Sequence, residues 1–158
     1  MTRPQFDLLD SRILHQLAMN ARKPFLEIAR LCNVSGAAIH QRVQKLQASG
    51  VIKGFETEIS PEALGYDTCA YVGLLLSDPS QSDVVTEQIG RIPEVTECHL
   101  TTGKYDIMLK IYARNNSHLL ELLHDRIQSI VPGRTETLIS FKEEFRRQLP
   151  LDENCNAE

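Results

Sequence analysis

The sequence of 158 residues has no tryptophan, and only 6% of its residues are aromatic. It also lacks any apolar run approaching the ~20 residues that a membrane-spanning helix needs. Residues 1–10, MTRPQFDLLD, do not have the pattern of a secretory signal peptide. Its 42% hydrophobic residues suffice for packed cores, so we expect a cytoplasmic protein without a membrane partner.

Paired cysteine motifs are also absent. Cys32, Cys69, Cys98 and Cys155 are widely spaced and form no CxxC pair, so we expect free thiols in a reducing compartment, no metal site and no cofactor. The sequence has no P-loop, no GxGxxG and no nucleophile motif, and its histidines do not converge on one helix face. These absences argue against an enzyme, and we expect no catalytic residues.

Charge is distributed unevenly along the chain, although the net charge is only −4. Residues 1–55 contain eight Lys/Arg and three acids, a net charge of +5, whereas residues 56–158 have a net charge of −9. A basic first third joined to an acidic remainder indicates two domains with different partners.

Residues 26–50, LEIARLCNVSGAAIHQRVQKLQASG, predict two helices joined by a tight turn. The second helix has apolar residues at helical spacing, namely Ile39, Val43 and Leu46. Ser35 stands where its hydroxyl can cap this helix, and Asn33 tolerates the left-handed backbone of a turn. Gly50 is suited to closing the helix. This pattern is typical of a helix-turn-helix.

The face opposite these apolar residues is small, polar and basic, and it contains no acid. Such a helix can enter the major groove of double-stranded DNA, with its N-terminal part on base edges. The candidate DNA-binding residues are Ser35, Gly36, Ala37, His40, Gln41, Arg42 and Lys45. The alternative is a solvated amphipathic helix in an ordinary helical domain.

Flanking segments extend this domain. Asp7 can cap a first helix over residues 7–20, which we expect to pack across the other two helices. Residues 51–59, VIKGFETEI, partly alternate and predict a strand that forms a wing or leads out of the domain. The Ser-Pro and Gly of residues 60–67 indicate a domain boundary.

The remaining sequence predicts the order strand, helix, strand, strand, helix, strand. The predicted strands are 69–76, 94–101, 105–112 and 135–145, and the predicted helices are 82–91 and 117–130. The predicted core residues of the helices are Val84, Val85, Ile89, Leu119, Leu120, Leu123, Ile127 and Ile130. This order is typical of a ferredoxin-like antiparallel sheet with two helices on one face.

The second face of this sheet has no element left to cover it, so its apolar residues require a partner surface. A second copy of the same sheet is the simplest partner, which predicts a homodimer. The predicted organisation is a DNA-binding domain over 1–55, a connecting strand or linker over 56–67, a βαββαβ oligomerisation domain over 68–147, to which the resemblance described next assigns amino-acid sensing, and a flexible tail over 148–158.

The sequence resembles the Lrp/AsnC family of transcriptional regulators over nearly its whole length. The segments that are similar are LLDSRIL at 8–14, LEIARLCNVS at 26–35, IHQRVQKLQASGVIKGF at 39–55, SPEALGYD at 60–67, VTECHLTTGKYDIMLKI at 95–111 and TETLIS at 135–140. The resemblance is greatest to the asparagine-responsive AsnC branch. It implies an α+β protein with an N-terminal helix-turn-helix (winged-helix-like) domain, a C-terminal βαββαβ ligand-sensing domain, a dimeric α+β barrel and assembly to an octamer.

The resemblance also implies an effector site at a contact between dimers, around the turn after the second sensing-domain strand. Carried over, the candidate effector-binding residues are Thr101, Thr102, Gly103, Lys104, Tyr105 and Asp106, with Thr135 and Thr137 from the last strand. A glycine turn exposes backbone groups that can bind the carboxylate and ammonium of an amino acid. A plain hairpin is the alternative.

These features predict a sequence-specific DNA-binding transcriptional regulator whose binding or assembly is modulated by a small amino acid, for which asparagine is the first choice. Two rival functions differ in what they require. A small ferredoxin-like enzyme needs convergent titratable groups, and an amino-acid-sensing or assembly module without DNA binding does not need the basic first third. A gel shift with salt titration separates the DNA-binding regulator from the assembly module, because DNA binding weakens steeply with salt.

Overall fold

Three helices form the N-terminal unit: α1 (Leu8–Met19), α2 (Phe25–Cys32) and α3 (Gly36–Ala48). The computed structural model describes residues 6–131 and 133–151, which fall into two units, one built around residues up to Glu58 and the other comprising Ile59–Phe145. The core of the first unit has buried residues from all three helices: Ile13, Leu17, Ile28, Ala29, Ile39, Val43 and Leu46. The apolar residues predicted to face inward on α3 therefore do so.

Local capping explains where these helices begin and end. Asp7 and Asp10 form a reciprocal capping box at the start of α1, with N–H to carboxylate distances of 2.9 and 3.2 Å. The Ser35 hydroxyl accepts from the Ala38 N–H at 3.1 Å and caps α3. Asn33 has a left-handed backbone (φ 56°, ψ 45°) and makes the sharp turn between α2 and α3. These features make the pair a helix-turn-helix.

The strand predicted over residues 51–59 is not formed. The chain from Lys53 to Ser60 has no regular secondary structure, and a single 3₁₀ turn, Glu62–Leu64, precedes the next unit. A strand requires a neighbouring strand for its ladder of hydrogen bonds, and none lies beside this segment among the described residues. The β-branched and aromatic residues of this segment predicted a strand, but such residues do not form one without a partner strand.

The second unit is a four-stranded antiparallel sheet with the order β2-β3-β1-β4. Its strands are β1 (Thr68–Leu76), β2 (Val95–Leu100), β3 (Ile107–Ala113) and β4 (Gly133–Ser140), with helix α4 (Ser82–Ile89) between β1 and β2. After β3 the chain forms α5 (Asn116–Glu121), a π-helical segment (Leu122–Ile127) and the short α6 (Gln128–Ile130). This is the predicted ferredoxin-like arrangement.

The end of β4 and the start of β3 differ from the predicted positions by more than one residue. β4 stops at Ser140, short of the predicted residue 145, because Ser140 pairs with Cys69 and β1 begins only one residue earlier. β3 begins at Ile107 and not at Tyr105, because Tyr105 and Asp106 belong to the preceding turn. Pro132, Cys155 and residues 152–158 of the predicted tail lie outside the described residues.

The helices cover one face of the sheet, where Ala70, Val72 and Leu74 of β1 are completely buried. In α4, Val85 and Ile89 lie in this core, but the predicted core residue Val84 is 57% exposed. Val85 and Ile89 are four residues apart and define the inward line, and Val84 is rotated away from it by about 100°.

The π-helical segment changes which leucines are buried. The predicted core residue Leu120 is 57% exposed, whereas Leu122, which the sequence analysis missed, is 3% exposed. A π-turn adds one residue to the helix turn, so the inward line runs from Leu119 through Leu122 to Ile127, five residues further on. A regular α-helix would have brought Arg126 toward the core.

The outer face of the sheet, opposite the helices, is not wholly apolar. Lys110 lies near its centre with its side chain only 8% exposed, 3.5 Å from Glu97 and 3.4 Å from Glu143. Its ammonium also lies over the rings of Tyr71 and Tyr112, at 6.0 and 5.4 Å from their centroids. Burial acts to lower the pKa of Lys110, but these neighbours hold the pKa above its ordinary value. The outer face is therefore amphipathic, with a lysine at its centre.

Candidate functional site

The exposed surface of α3 is the candidate DNA interface. α3 contains no acidic residue, and its exposed side chains include Ala37, Gln41, Gln44 and Lys45. Ser35 and Gly36 precede this surface, and the next residue, Ala37, is small, so the start of α3 can approach another surface closely. Among the described residues, five of the seven predicted DNA-binding residues have no side-chain hydrogen bond or ion pair other than the Ser35 cap. The two exceptions are Arg42 and His40.

Arg42 is different, because it is already engaged within the protein. It donates to Asp7 and, at 3.1 Å, to Oδ1 of Asp10, both on α1. These carboxylates raise the pKa of Arg42. The sequence showed that α3 itself has no acid to pair with Arg42, but it did not reveal these partners at the start of α1. Arg42 packs α3 against α1, and its side chain is 32% exposed.

His40 is also held, although more loosely. Its ring makes an edge contact with the ring of Phe25 on α2, at a centroid distance of 4.6 Å and an interplanar angle of 75°. The histidine side of α3 is thus fixed by α2, and the Arg42 side is fixed by α1. The line between them, through Ala37 and Gln41, is the part of α3 that faces away from the domain.

The candidate effector turn, residues 101–106, connects β2 and β3. Gly103 at its tip has φ +105°, a conformation that L-residues with side chains rarely adopt, and nothing lies within 4 Å of where a Cβ would be. The base of the turn is closed by Thr101: its N–H donates to the Asp106 carbonyl at 3.0 Å and its hydroxyl donates to the Tyr105 carbonyl at 2.6 Å. The tip, Thr102 and Gly103, is exposed.

Asp106 joins the turn to the end of β1. Its N–H donates to the Leu74 carbonyl at 2.9 Å, and its Oδ2 accepts from the Leu76 N–H at 2.7 Å. The carboxylate is therefore not a solvated acid, because Oδ2 is already engaged within the protein. Asp106 holds the turn in place.

Tyr105 lies across the outer face of the sheet. A Cβ built on Gly73 of β1 would meet Cδ1 of Tyr105 at 2.5 Å, so only glycine leaves room for the ring at this position. Gly73 is buried even though it has no side chain. This close approach fixes the direction in which the turn leaves the sheet edge.

Lys104 extends the same turn to the far edge strand. Its ammonium pairs with Glu136 of β4 and lies 5.0 Å from the centroid of the Tyr105 ring. Hydrogen bonds from Lys104 and Tyr105 lower the pKa of Glu136, and Glu136 in turn raises the pKa of Lys104. Glu136 was missed in the sequence, because a residue 32 positions away can be connected to the turn only through the strand register.

Thr135 and Thr137 do not join this cluster within the chain. They pair with Leu74 and Val72 of β1, whose side chains are buried under the helices, so the threonines lie on the helix-covered face. Glu136, between them, points to the outer face with Lys104. The structure thus brings together Lys104, Tyr105 and Glu136, and separates them from the two threonines.

Among residues 6–131 and 133–151, no three His, Cys, Asp or Glu side chains come together as metal ligands. In the same ranges no helix is both long and apolar enough to cross a membrane. Cys32, Cys69 and Cys98 are free thiols.

Comparisons with known proteins match both units. The family model of the AsnC-type helix-turn-helix domain matches residues 6–47, and the family model of the Lrp/AsnC ligand binding domain matches residues 69–150. The chain is 38% identical over 144 residues to the regulatory protein AsnC of Haemophilus influenzae, covering 90% of this chain and 96% of that protein.

Solved structures have the same fold. The structure of Escherichia coli AsnC superposes with a TM-score of 0.86 at 35% identity, covering 92% of this chain and 99% of that one. A feast or famine regulatory protein from M. tuberculosis, solved in complex with L-methionine, superposes with a TM-score of 0.88 at 28% identity, covering 94% of this chain and all of that one.

Proposed function

The chain belongs to the Lrp/AsnC family of DNA-binding transcriptional regulators, and from this premise we propose that a small amino acid, bound at the turn 101–106, modulates its DNA binding or assembly. The proposal rests on one observation. The turn is held in place by two contacts, from Asp106 to Leu76 and from Lys104 to Glu136, while its tip at Thr102 and Gly103 is exposed. A fixed turn with an open tip can bind a ligand without the loss of conformational entropy that ordering a flexible loop would cost.

The chemistry of the turn suits a zwitterion. The backbone around Gly103 can approach a ligand closely because it has no side chain, and Lys104 and Glu136 supply one charge of each sign beside it. An amino acid has one carboxylate and one ammonium in every case, so these features favour amino acids as a class. The M. tuberculosis relative, with its L-methionine, supports the same class.

Asparagine is the amino acid that we propose. The neighbouring side chains of Lys104, Tyr105 and Glu136 are polar and can hydrogen-bond the amide of a bound asparagine, whereas an apolar side chain such as that of leucine offers them no hydrogen bond. Relatives named AsnC, at 35 to 38% identity, support this choice. The role is binding and not catalysis, in keeping with relatives that are named regulators.

We also propose that the protein acts as a homodimer that assembles further, to an octamer. The outer sheet face contains Tyr71, Met108 and Leu138, of which Leu138 is 57% exposed. Two such faces can stack, as sheets do in sandwiches. The turn 101–106 borders this face, so assembly would bring turns of different copies together and couple ligand binding to oligomeric state.

Titration calorimetry with asparagine and with leucine tests the effector. We expect heat from asparagine, and no heat from either ligand with Gly103→Val, because a β-branched residue is strained at φ +105° and covers the open tip. The control is Gly65→Val, since Gly65 has φ +80° and equally open space but lies in the linker. Binding of leucine in preference to asparagine would overturn the ligand, and binding that survives Gly103→Val but not Gly65→Val would overturn the site.

A further inference from the structure

The side of α3 that faces away from the core is defined by the buried residues. Ile39, Val43 and Leu46 are at most 3% exposed and mark the inward line. At 100° per residue, Gln41 lies nearly opposite this line, with Ala37 one turn before it and Gln44 beside it. The outward line of α3 therefore carries two amides, with the exposed Lys45 one turn beyond Gln41.

Gln41 and Gln44 have exposed side chains that make no hydrogen bond with any residue in the described ranges. Arg42 stands between them in sequence, but it points to α1 and donates to Asp7 and Asp10. The glutamine amides are thus free to contact bases, whereas Arg42, the residue type most often associated with base contacts, is held by α1.

A primary amide offers one donor and one acceptor side by side. In the major groove, adenine presents N7 as an acceptor and N6–H₂ as a donor, so a glutamine can make two hydrogen bonds to adenine, whereas guanine presents only acceptors and suits Arg or Lys. The small Ala37, one turn before Gln41, can contact the methyl group of thymine. The exposed groups therefore favour A·T pairs.

We propose that Gln41 and Gln44 read adenines in the major groove, and that Arg42 is a positioning residue that contacts no base. The proposal rests on DNA binding through α3. Residues three apart on a helix differ in height by about 4.5 Å, and successive bases on one strand differ by about 3.4 Å. The two amides can therefore reach neighbouring A·T pairs, with Lys45, one turn beyond Gln41, near a phosphate.

Selection from randomised duplexes, using the full-length protein, tests this assignment. We expect the wild type to select sites with two neighbouring A·T pairs in each half-site. In Gln41→Ala and Gln44→Ala we expect one of these preferences to be lost, with discrimination against the wrong base falling roughly 5- to 150-fold, the value of one bidentate contact. In Gln41→Arg we expect the preference to change from adenine to guanine.

Two variants on the same helix serve as controls. Gln47→Ala removes an exposed amide that lies away from the outward line, and we expect its selected sites to match those of the wild type. Arg42→Met is expected to bind more weakly on all duplexes without a change of preferred bases. Replacement of the selected adenines by 7-deazaadenine, which lacks N7, should weaken wild-type binding but leave the Gln41→Ala and Gln44→Ala double variant unaffected.

Unchanged preferences in both single glutamine variants, or a change of preferred base in Arg42→Met, would overturn the assignment. A failure of the DNA-binding function itself looks different, because the wild type would then select no site and show no salt-dependent binding. That result would overturn the function, and the assignment with it.

Discussion

Nη1 of Arg42 donates to Oδ1 of Asp10 across 3.1 Å, and this bond fastens the third helix of the DNA-binding unit to the first. Asp10 is almost fully buried, with a side chain 3% exposed, so it depends on Arg42 for compensation of its charge. Asp10 also belongs to the capping box of α1 through its contact with the Asp7 N–H. One carboxylate therefore supports both a helix start and a helix pair.

Replacing Arg42 by Met is expected to lower the free energy of unfolding by roughly 1–3 kcal/mol, because a buried carboxylate loses its partner. Urea denaturation followed by circular dichroism measures the change. Lys45→Met is the control, since Lys45 is exposed on the same helix and makes no ion pair with a described residue. Equal stability of the two variants would show that the Arg42 contacts add nothing to folding.

The pH dependence of stability tests the second partner of Arg42. Burial acts to raise the pKa of Asp7, but the Asp10 N–H and Arg42 outweigh it and hold the pKa below its ordinary value of 3.8. A lowered pKa contributes stability that is present above pH 4 and lost as the pH falls through the folded-state pKa. We expect wild type to be more stable than Asp7→Asn at pH 6, with a difference that shrinks below about pH 4. Asparagine keeps the cap, so a difference independent of pH would contradict the role of the charge.

Gly73→Ala should disturb the candidate effector turn from β1, on the same face of the sheet as the Tyr105 ring. The added methyl group would meet the Tyr105 ring, and overpacking of this kind costs roughly 1–3 kcal/mol. Once the ring is removed, the methyl group has space. Thermal melting of Gly73→Ala, Tyr105→Ala and the double variant should therefore be non-additive, with Gly73→Ala costing little in the Tyr105→Ala background. Simple additivity would mean that the two residues do not compete for the same space.

The ion pair between Lys104 and Glu136 is expected to matter for effector binding and hardly at all for folding, since both side chains are largely exposed. Lys104→Glu should abolish the calorimetric response to asparagine and leave the melting temperature nearly unchanged. The exchanged pair, Lys104→Glu with Glu136→Lys, restores the attraction but reverses its direction. If the ion pair acts only by holding the turn in place, the exchanged pair should recover part of the calorimetric response to asparagine. An undiminished response in Lys104→Glu alone would remove the lysine from the site.

Assembly through the outer sheet face is tested by one substitution. Leu138→Glu introduces a charge that a two-fold interface would bring close to its own copy. Light scattering of Leu138→Glu is expected to give the monomer mass of 17.9 kDa. Ile139→Glu is the control, because Ile139 is similarly exposed (47% against 57%) but lies on the helix-covered face of the same strand. A larger assembly that persists in Leu138→Glu but not in Ile139→Glu would indicate an interface on the other face.

Short-range rules explain which parts could be predicted from sequence. The caps at Asp7 and Ser35, the left-handed Asn33 and the apolar spacing of α3 each depend on residues within one or two helix turns. The order of strands and helices in the second unit followed from the same rules together with chain topology. The helix-turn-helix, the ferredoxin-like sheet and the family were accordingly accessible from the sequence.

Contacts between distant residues were not accessible. The partners of Arg42 lie 32 and 35 positions away, and the partner of Lys104 lies 32 positions away. The extra residue of the π-turn leaves no local signature, so Leu120 was placed in the core instead of Leu122. The lysine at the centre of the outer sheet face was not singled out, because its compensating glutamates belong to other elements.

The bond from the Leu76 N–H to the Asp106 carboxylate gives the protein a natural reporter. This amide proton can exchange with solvent when the turn opens, without separation of the central strands, so its exchange rate measures a local equilibrium. Amides in the middle of β1 are bonded to strands on both sides and exchange through much larger openings. In a nuclear magnetic resonance spectrum, a compound that tightens the turn would slow exchange at Leu76 while leaving the centre of β1 unchanged.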